Sequence, residues 1–289
     1  MVGSNNGTGE QAGLTINEAD AGRRGDLRDS MRWPFGLGSP RAPLLLAVGF
    51  VVVEQLVLMT TQAVTRSALP FASPVFSGMF AQIAQIVVLV LVLARFGWTS
   101  RAGFNTPSHW KQLHLLWFPA LVALFDLGPL AQMHAPTVGL LLLAALYALL
   151  TGLNEEGQMR GFVLTSLEPL GPLRAAAASA VLFGLVHLNN LLLGGNVGLV
   201  ALQVPSAALF GFGYAAVRLR TGTIWPLAVV HALTDMATDL FLLSPTGSAA
   251  FAGGTGTFSP VVLAVVLLTP ALLLSLYGLF LLRPGASHG

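Results

Sequence analysis

Eight apolar stretches, each about as long as a helix that crosses a lipid bilayer, govern what this chain can fold into: roughly residues 43 to 63, 76 to 94, 113 to 131, 137 to 153, 173 to 189, 197 to 217, 224 to 243 and 260 to 282. A span takes about 20 mostly apolar residues. Within the bilayer every backbone N–H and C=O must be satisfied by the protein itself, so only helices and closed barrels cross it. The runs are about twice the length of a barrel strand and do not alternate in polarity. The expected fold is therefore all-α and integral to the membrane, with about eight transmembrane helices. Charge is scarce to match: 9% of the 289 residues are Asp, Glu, Lys or Arg, against about a quarter in a soluble domain.

Ten of the 26 charges lie in residues 1–42, five Arg and five acids in a Gly-rich stretch without sustained periodicity. Such a segment cannot bury enough apolar area to offset its chain entropy, and it is expected to be a disordered cytoplasmic tail. No apolar region stands near residue 10, where a secretory signal would put one. The first run is therefore expected to stay as an anchor. Of the 14 basic residues, 13 fall on one side of the eight runs and only Arg66 on the other. By the positive-inside rule this puts both termini in the cytoplasm. Residues 43–136 then form the N-terminal transmembrane helices, 137–243 a central core, and 244–289 the last helix and the C-terminal end. The chain has no cysteine, which excludes disulfides, thiolate metal sites and a Cys nucleophile. No basic stripe interleaved with aromatics appears, so nucleic acid is set aside as a partner and membrane lipids are expected. High Gly, Ala and Leu content without cysteine points to a bacterial plasma membrane.

Ionisable groups inside spanning segments are costly and are functional candidates by default. Here they are Glu54, Asp126, Glu155, Glu156, Arg160, His187, His231, Asp235 and Asp239. Glu54 and Asp126 have no local partner and are expected to hydrogen-bond neighbouring helices. Glu155, Glu156 and Arg160 read EExxxR. Residues four apart share a helix face, so Glu156 can pair with Arg160 while Glu155 points about 100° away as a free carboxylate. Phe183 and His187 read FxxxH, with the ring one turn before the imidazole. His231 and Asp235 read HxxxD, and Asp239 follows one turn later. Asp235 can orient the imidazole, or both can ligate a metal. Gly222 is expected to break the preceding helix, Thr223 to cap the next one, and Pro226 to fit its first turn.

In this order, on successive membrane segments, the three motifs resemble the CPBP intramembrane proteases, a family that includes type II CAAX prenyl endopeptidases and bacteriocin-processing and abortive-infection-type membrane proteins. The resemblance covers about residues 137–243, including the Arg-Thr-Gly-x-x-Trp-Pro stretch at 220–226. It implies an endopeptidase core whose helices enclose a polar cavity open to the cytoplasmic side, acting on a membrane-associated or lipid-modified peptide or protein. Carried over by motif position, Glu155 and His187 activate the attacking water. His231 and Asp235 stabilise the oxyanion, and Glu156 and Arg160 hold the segment in place, with Phe183 packed over the imidazole. Many members carry Asn where this chain has Asp235. An ionised Asp cannot donate to an oxyanion, so Asp235 must be protonated, orient His231, or ligate a metal. Glu155, His187, His231 and Asp235 are a chemically adequate set for a single divalent ion such as zinc, as in a metalloprotease, but HExxH spacing is missing. Metal-independent water activation is the preferred reading.

For Glu155 and His187 to meet, the acidic helix is expected to continue through Arg160 towards Leu167, and the fifth helix to tilt or start deeper. Two other functions fit the same charges: a transporter or proton relay that also recruits Glu54 and Asp126, and a non-proteolytic scaffold of the immunity type.

Overall fold

The computed structural model describes residues 41–69, 74–107, 110–127, 136–243 and 259–283. Nearly all of the expected tail, and much of the region after Leu243, lie outside the described residues. The described residues form helices joined by turns, with no strand among them. Helix α1 covers Ala42–Ala68 and α2 Pro74–Phe96. A 3-10 turn, Trp110–Leu116, leads into α3, Trp117–Asp126. Helix α4, Val138–Glu156, passes directly into a π-helical segment, Gly157–Val163, then a short α5, Leu164–Leu167, and a 3-10 turn, Glu168–Leu170. Helix α6, Pro172–Val186, is followed by a short α7, Asn189–Leu192, and α8 runs Val197–Thr221. Helices α9, Trp225–Leu243, and α10, Pro260–Leu281, complete the set.

Among the described residues six helical segments are long and apolar enough to cross a membrane: 42–68, 75–96, 138–170, 172–192, 197–221 and 261–281. These are the segments of a membrane protein. Two expected spans fall outside the six. The run at 113–131 is divided between the 3-10 turn and the 10-residue α3, which rises only about 15 Å. Its residues 128–131 lie outside the described set. The run at 224–243 forms the 19-residue α9, which carries His231, Asp235 and Asp239.

The stretch between the fourth and fifth runs departs most from a simple reading of hydropathy. Residues 154–172 look like a charged connection in the sequence, yet every residue from Glu156 to Leu167 is buried. The acidic helix does continue past Arg160 to Leu167. The chain reverses later, at Gly171, whose φ of 83° favours glycine. Phe162 anchors the continuation, fully buried with its ring centroid 4.1 Å from that of Phe50 and 5.5 Å from that of Trp98. Glu168, just before the reversal, is paired with Arg101 at 2.5 Å.

Three contacts position the rest. Helix α8 packs against both α6 and α10, and α9 packs along α4. The last contact is close because Gly152 lies against the α9 backbone, where any Cβ would run into the Ala228 carbonyl. Helix α8 ends at Gly222 and Pro226 occupies the first turn of α9, as the sequence suggests. Thr223 does not act as the expected cap: its hydroxyl donates to the Asn105 carbonyl at 2.9 Å and ties this corner to the turn after α2.

Candidate active site

Adjacent Glu155 and Glu156 face different surroundings, as one helical step of about 100° requires. The Glu155 side chain is 30% exposed and lines a cavity of about 330 Å³, while the Glu156 side chain is 0% exposed. His187, His231, Asp235 and Asp239 line the same cavity. Glu155 and His187 meet there because each lies 16 residues from Gly171, one before and one after the reversal.

Glu156 is the hub of the buried side. Its Oε1 lies 3.1 Å from Arg160 Nη1 and accepts a hydrogen bond from His231 Nδ1 at 2.7 Å. The first contact is the i,i+4 pair expected from the motif. The second spans 75 residues of chain and has no signal in local spacing. The Arg160 contact is an ion pair without hydrogen-bond alignment. The guanidinium lies instead over the Phe183 ring, 4.3 Å from its centroid, and 5.5 Å from that of Tyr214. A desolvated cation over an aromatic face is stabilised by the ring quadrupole.

His231 is held from both ends. With Nδ1–H given to Glu156, Nε2 lies 3.3 Å from Asp235 Oδ2 and 3.5 Å from Glu155 Oε2. Bare lone pairs at these separations repel, so at least one proton lies among the three atoms. His187 is fixed by its own helix: Nδ1 lies 2.8 Å from the Phe183 carbonyl. A carbonyl only accepts, so Nδ1 carries the hydrogen and Nε2 is left as the basic nitrogen. Phe183 meets the His187 ring edge to face at 4.9 Å and that of His231 at 6.2 Å. One aromatic side chain therefore touches both imidazoles and the guanidinium.

A chain of buried amides, unforeseen in the sequence, backs the acidic segment. Gln158 donates to Asn154 at 2.8 Å, Asn154 to Gln85 at 2.9 Å, and Gln85 to the Glu54 carbonyl at 3.0 Å. Glu54 thus bonds the neighbouring helix through its backbone. Its fully buried carboxylate has no hydrogen-bond partner among the described residues, contrary to expectation. Neither Glu54 nor Asp126 lines the cavity. Among the described residues no three His, Asp or Glu side chains gather into a group fit to hold a metal ion. Glu155, His187, His231 and Asp235 line one cavity without forming a coordination shell.

Fold and site together define an all-helical membrane protein with acids and imidazoles gathered in a cavity among its helices. Residues 137–237 match the family model described as type II CAAX prenyl endopeptidase Rce1-like. The match falls on the segment whose three motifs resemble the CPBP family of intramembrane proteases, and it supports a CAAX-type protease. No curated protein and no solved structure matches the chain.

Proposed function

We propose that the protein is an intramembrane endopeptidase that hydrolyses a peptide bond in a membrane-associated or lipid-modified peptide. The observation that carries this reading is the presence of Glu155 and His187 in one cavity, with His231 Nε2 3.5 Å from the Glu155 carboxylate. Glu155 takes one proton from a water whose oxygen bonds to the scissile carbonyl carbon, and His187 Nε2 holds the other hydrogen of that water. The carbonyl oxygen becomes an oxyanion and is met by the N–H of His231 Nε2, a hydrogen it shares with Asp235 while Glu156 holds the ring at Nδ1. As the C–N bond breaks, the proton held by Glu155 passes to the leaving amine. Base, donor and water then act in a site of low dielectric, where each electrostatic contact is stronger than in water. Glu156, Arg160 and Phe183 are positioning residues that keep His231 in place. No step is routed through a metal.

In this proposal the chain crosses the membrane eight times, with α9 and the 113–131 region completing the six apolar helices. Both termini face the cytoplasm of a bacterial cell and the polar cavity opens to that side. The bias of 13 basic residues against 1 supports that orientation. The test compares peptides released in native membranes by the wild-type protein and by Glu155→Gln. Specific products should vanish in the variant while the protein still accumulates and extracts as a folded species. A Glu155→Gln protein cleaving at full rate would sink the proposal.

A further inference from the structure

Tyr147, Thr151 and Glu155 are spaced four apart on α4, as are His231, Asp235 and Asp239 on α9, so each trio forms a stripe on one side of its helix. All six line the cavity. The stripes meet at Glu155 and His231, and Asp239 lies within electrostatic reach of Tyr147 at the other end. Eight residues of helix put Asp239 about 12 Å along α9 from His231. This far arm lies too distant from Glu155 to touch the reacting bond.

Its chemistry is one-sided. Gln82, 8% exposed, lines the cavity and donates its amide to Thr151 at 2.6 Å, and its buried Oε1 has no hydrogen-bond partner among the described residues. Asp239 Oδ2 is buried and equally without such a partner. Both atoms are acceptors. Among the described residues no Lys or Arg is part of the cavity wall; the Arg66 head bonds Gln62 at 3.4 Å from outside that lining. Two oxygens of this arm are therefore without a donor and no cation of the lining stands beside its acids, so what completes it is a cationic donor from outside the chain.

We infer that this arm is a specificity subsite for a basic side chain, Lys or Arg, of the peptide substrate, with Asp239 and the Gln82 carbonyl as its partners. The inference rests on the endopeptidase reading. At about 3.3–3.6 Å per extended residue, a 12 Å separation puts the basic residue roughly three to four positions from the scissile bond.

The test uses the full-length protein in detergent carrying Glu155→Gln, so that peptides bind without turnover. The probes are fluorescent Gly/Ala/Leu decapeptides with a single Lys, norleucine or Glu, read by anisotropy. The Lys peptide should bind about tenfold or more tighter than the norleucine peptide, the ratio expected of one charge-assisted hydrogen bond. Adding Asp239→Asn should bring that ratio near one, and Asp239→Lys should reverse the order so that the Glu peptide binds best. Equal affinity for the Lys and norleucine peptides overturns the subsite, as does a Lys preference that persists in Asp239→Asn. The same peptides are then offered to the wild-type protein. Cleavage without a Lys preference leaves the peptidase and removes the subsite. A Lys preference in binding with no cleavage of any peptide leaves the subsite and removes the peptidase.

Discussion

His231 and Glu156 are joined at 2.7 Å, and the same carboxylate oxygen lies 3.1 Å from Arg160. Arg160 and Glu156 are 1% and 0% exposed. Two charges taken this far from solvent are tolerated only as a pair, and the loss of one strands the other. The contact also fixes which nitrogen of His231 faces the cavity, so an element of structural stability sets the chemistry of the site.

Glu156→Ala is therefore expected to lower stability by about 3–5 kcal/mol, the usual consequence of leaving a buried partner uncompensated. Glu156→Gln keeps an acceptor for His231 Nδ1–H and should be the milder of the two. Thermal unfolding in detergent gives the ranking. If Glu156 positions His231, Glu156→Gln should lower kcat more than it raises KM even where the fold survives. A stable Glu156→Gln protein with unchanged kcat would show that the contact matters for folding alone.

Asp235 lies 3.3 Å from His231 Nε2, close enough to orient the ring. An amide oxygen keeps that acceptor and adds an N–H that can donate to an oxyanion. Asp235→Asn should accordingly retain cleavage within about tenfold, whereas Asp235→Leu removes the contact and should lose about 100-fold or more, as for loss of one oxyanion-stabilising group. Steady-state kcat for the two variants decides it, and equal losses would count against the orienting role.

The apolar runs and the i,i+4 spacings were readable from the sequence because both are local: run length sets a span, and a helix puts residue 160 beside residue 156. The contact of Glu156 with His231 was not, since nothing in spacing reports a meeting across 75 residues. The depth of the site was misleading for a related reason. Hydropathy treats Glu155, Glu156 and Arg160 as an interruption of the apolar run, but inside the bundle Glu156 is paired with Arg160, and the amides of Gln85, Asn154 and Gln158 bond one another. The helix can then continue to Leu167 before the chain reverses at Gly171, and Glu155 and His187 line one cavity. Gln85, Asn154 and Gln158 look neutral one at a time, and only the folded chain shows them as a connected set.

That set makes a prediction of its own. Gln85→Leu removes the acceptor of the Asn154 amide and the donor to the Glu54 carbonyl. The Glu54 carbonyl keeps its helical bond, but a buried amide left unpaired, here that of Asn154, costs about 1–3 kcal/mol, so unfolding should shift to lower temperature although leucine is the more apolar residue. A stabilised Gln85→Leu protein would mean that the amides contribute nothing to holding α1, α2 and α4 together.

Chelation bears on the cofactor. Among the described residues no three His, Asp or Glu side chains gather into a group fit to hold a metal ion. Cleavage by the purified protein should survive prolonged dialysis against a strong chelator within about twofold, where structural or catalytic zinc would be withdrawn. Loss of activity restored by added zinc would overturn the metal-independent scheme.

Phe183 supplies the last prediction. Its ring meets His187 at 4.9 Å and His231 at 6.2 Å, and it carries the Arg160 guanidinium at 4.3 Å. Phe183→Ala opens a void beside all three and should cost about 3–5 kcal/mol, as a buried Phe truncation does. Phe183→Leu fills most of that volume but offers no π face, losing about 2 kcal/mol or less of cation–π attraction. The two variants thus separate packing from electrostatics. If the ring holds the imidazoles in register, Phe183→Leu should fold yet lower kcat, and Phe183→Tyr, which restores the face, should recover most of it. Equal kcat in the Leu and Tyr variants would reduce Phe183 to a filler of space.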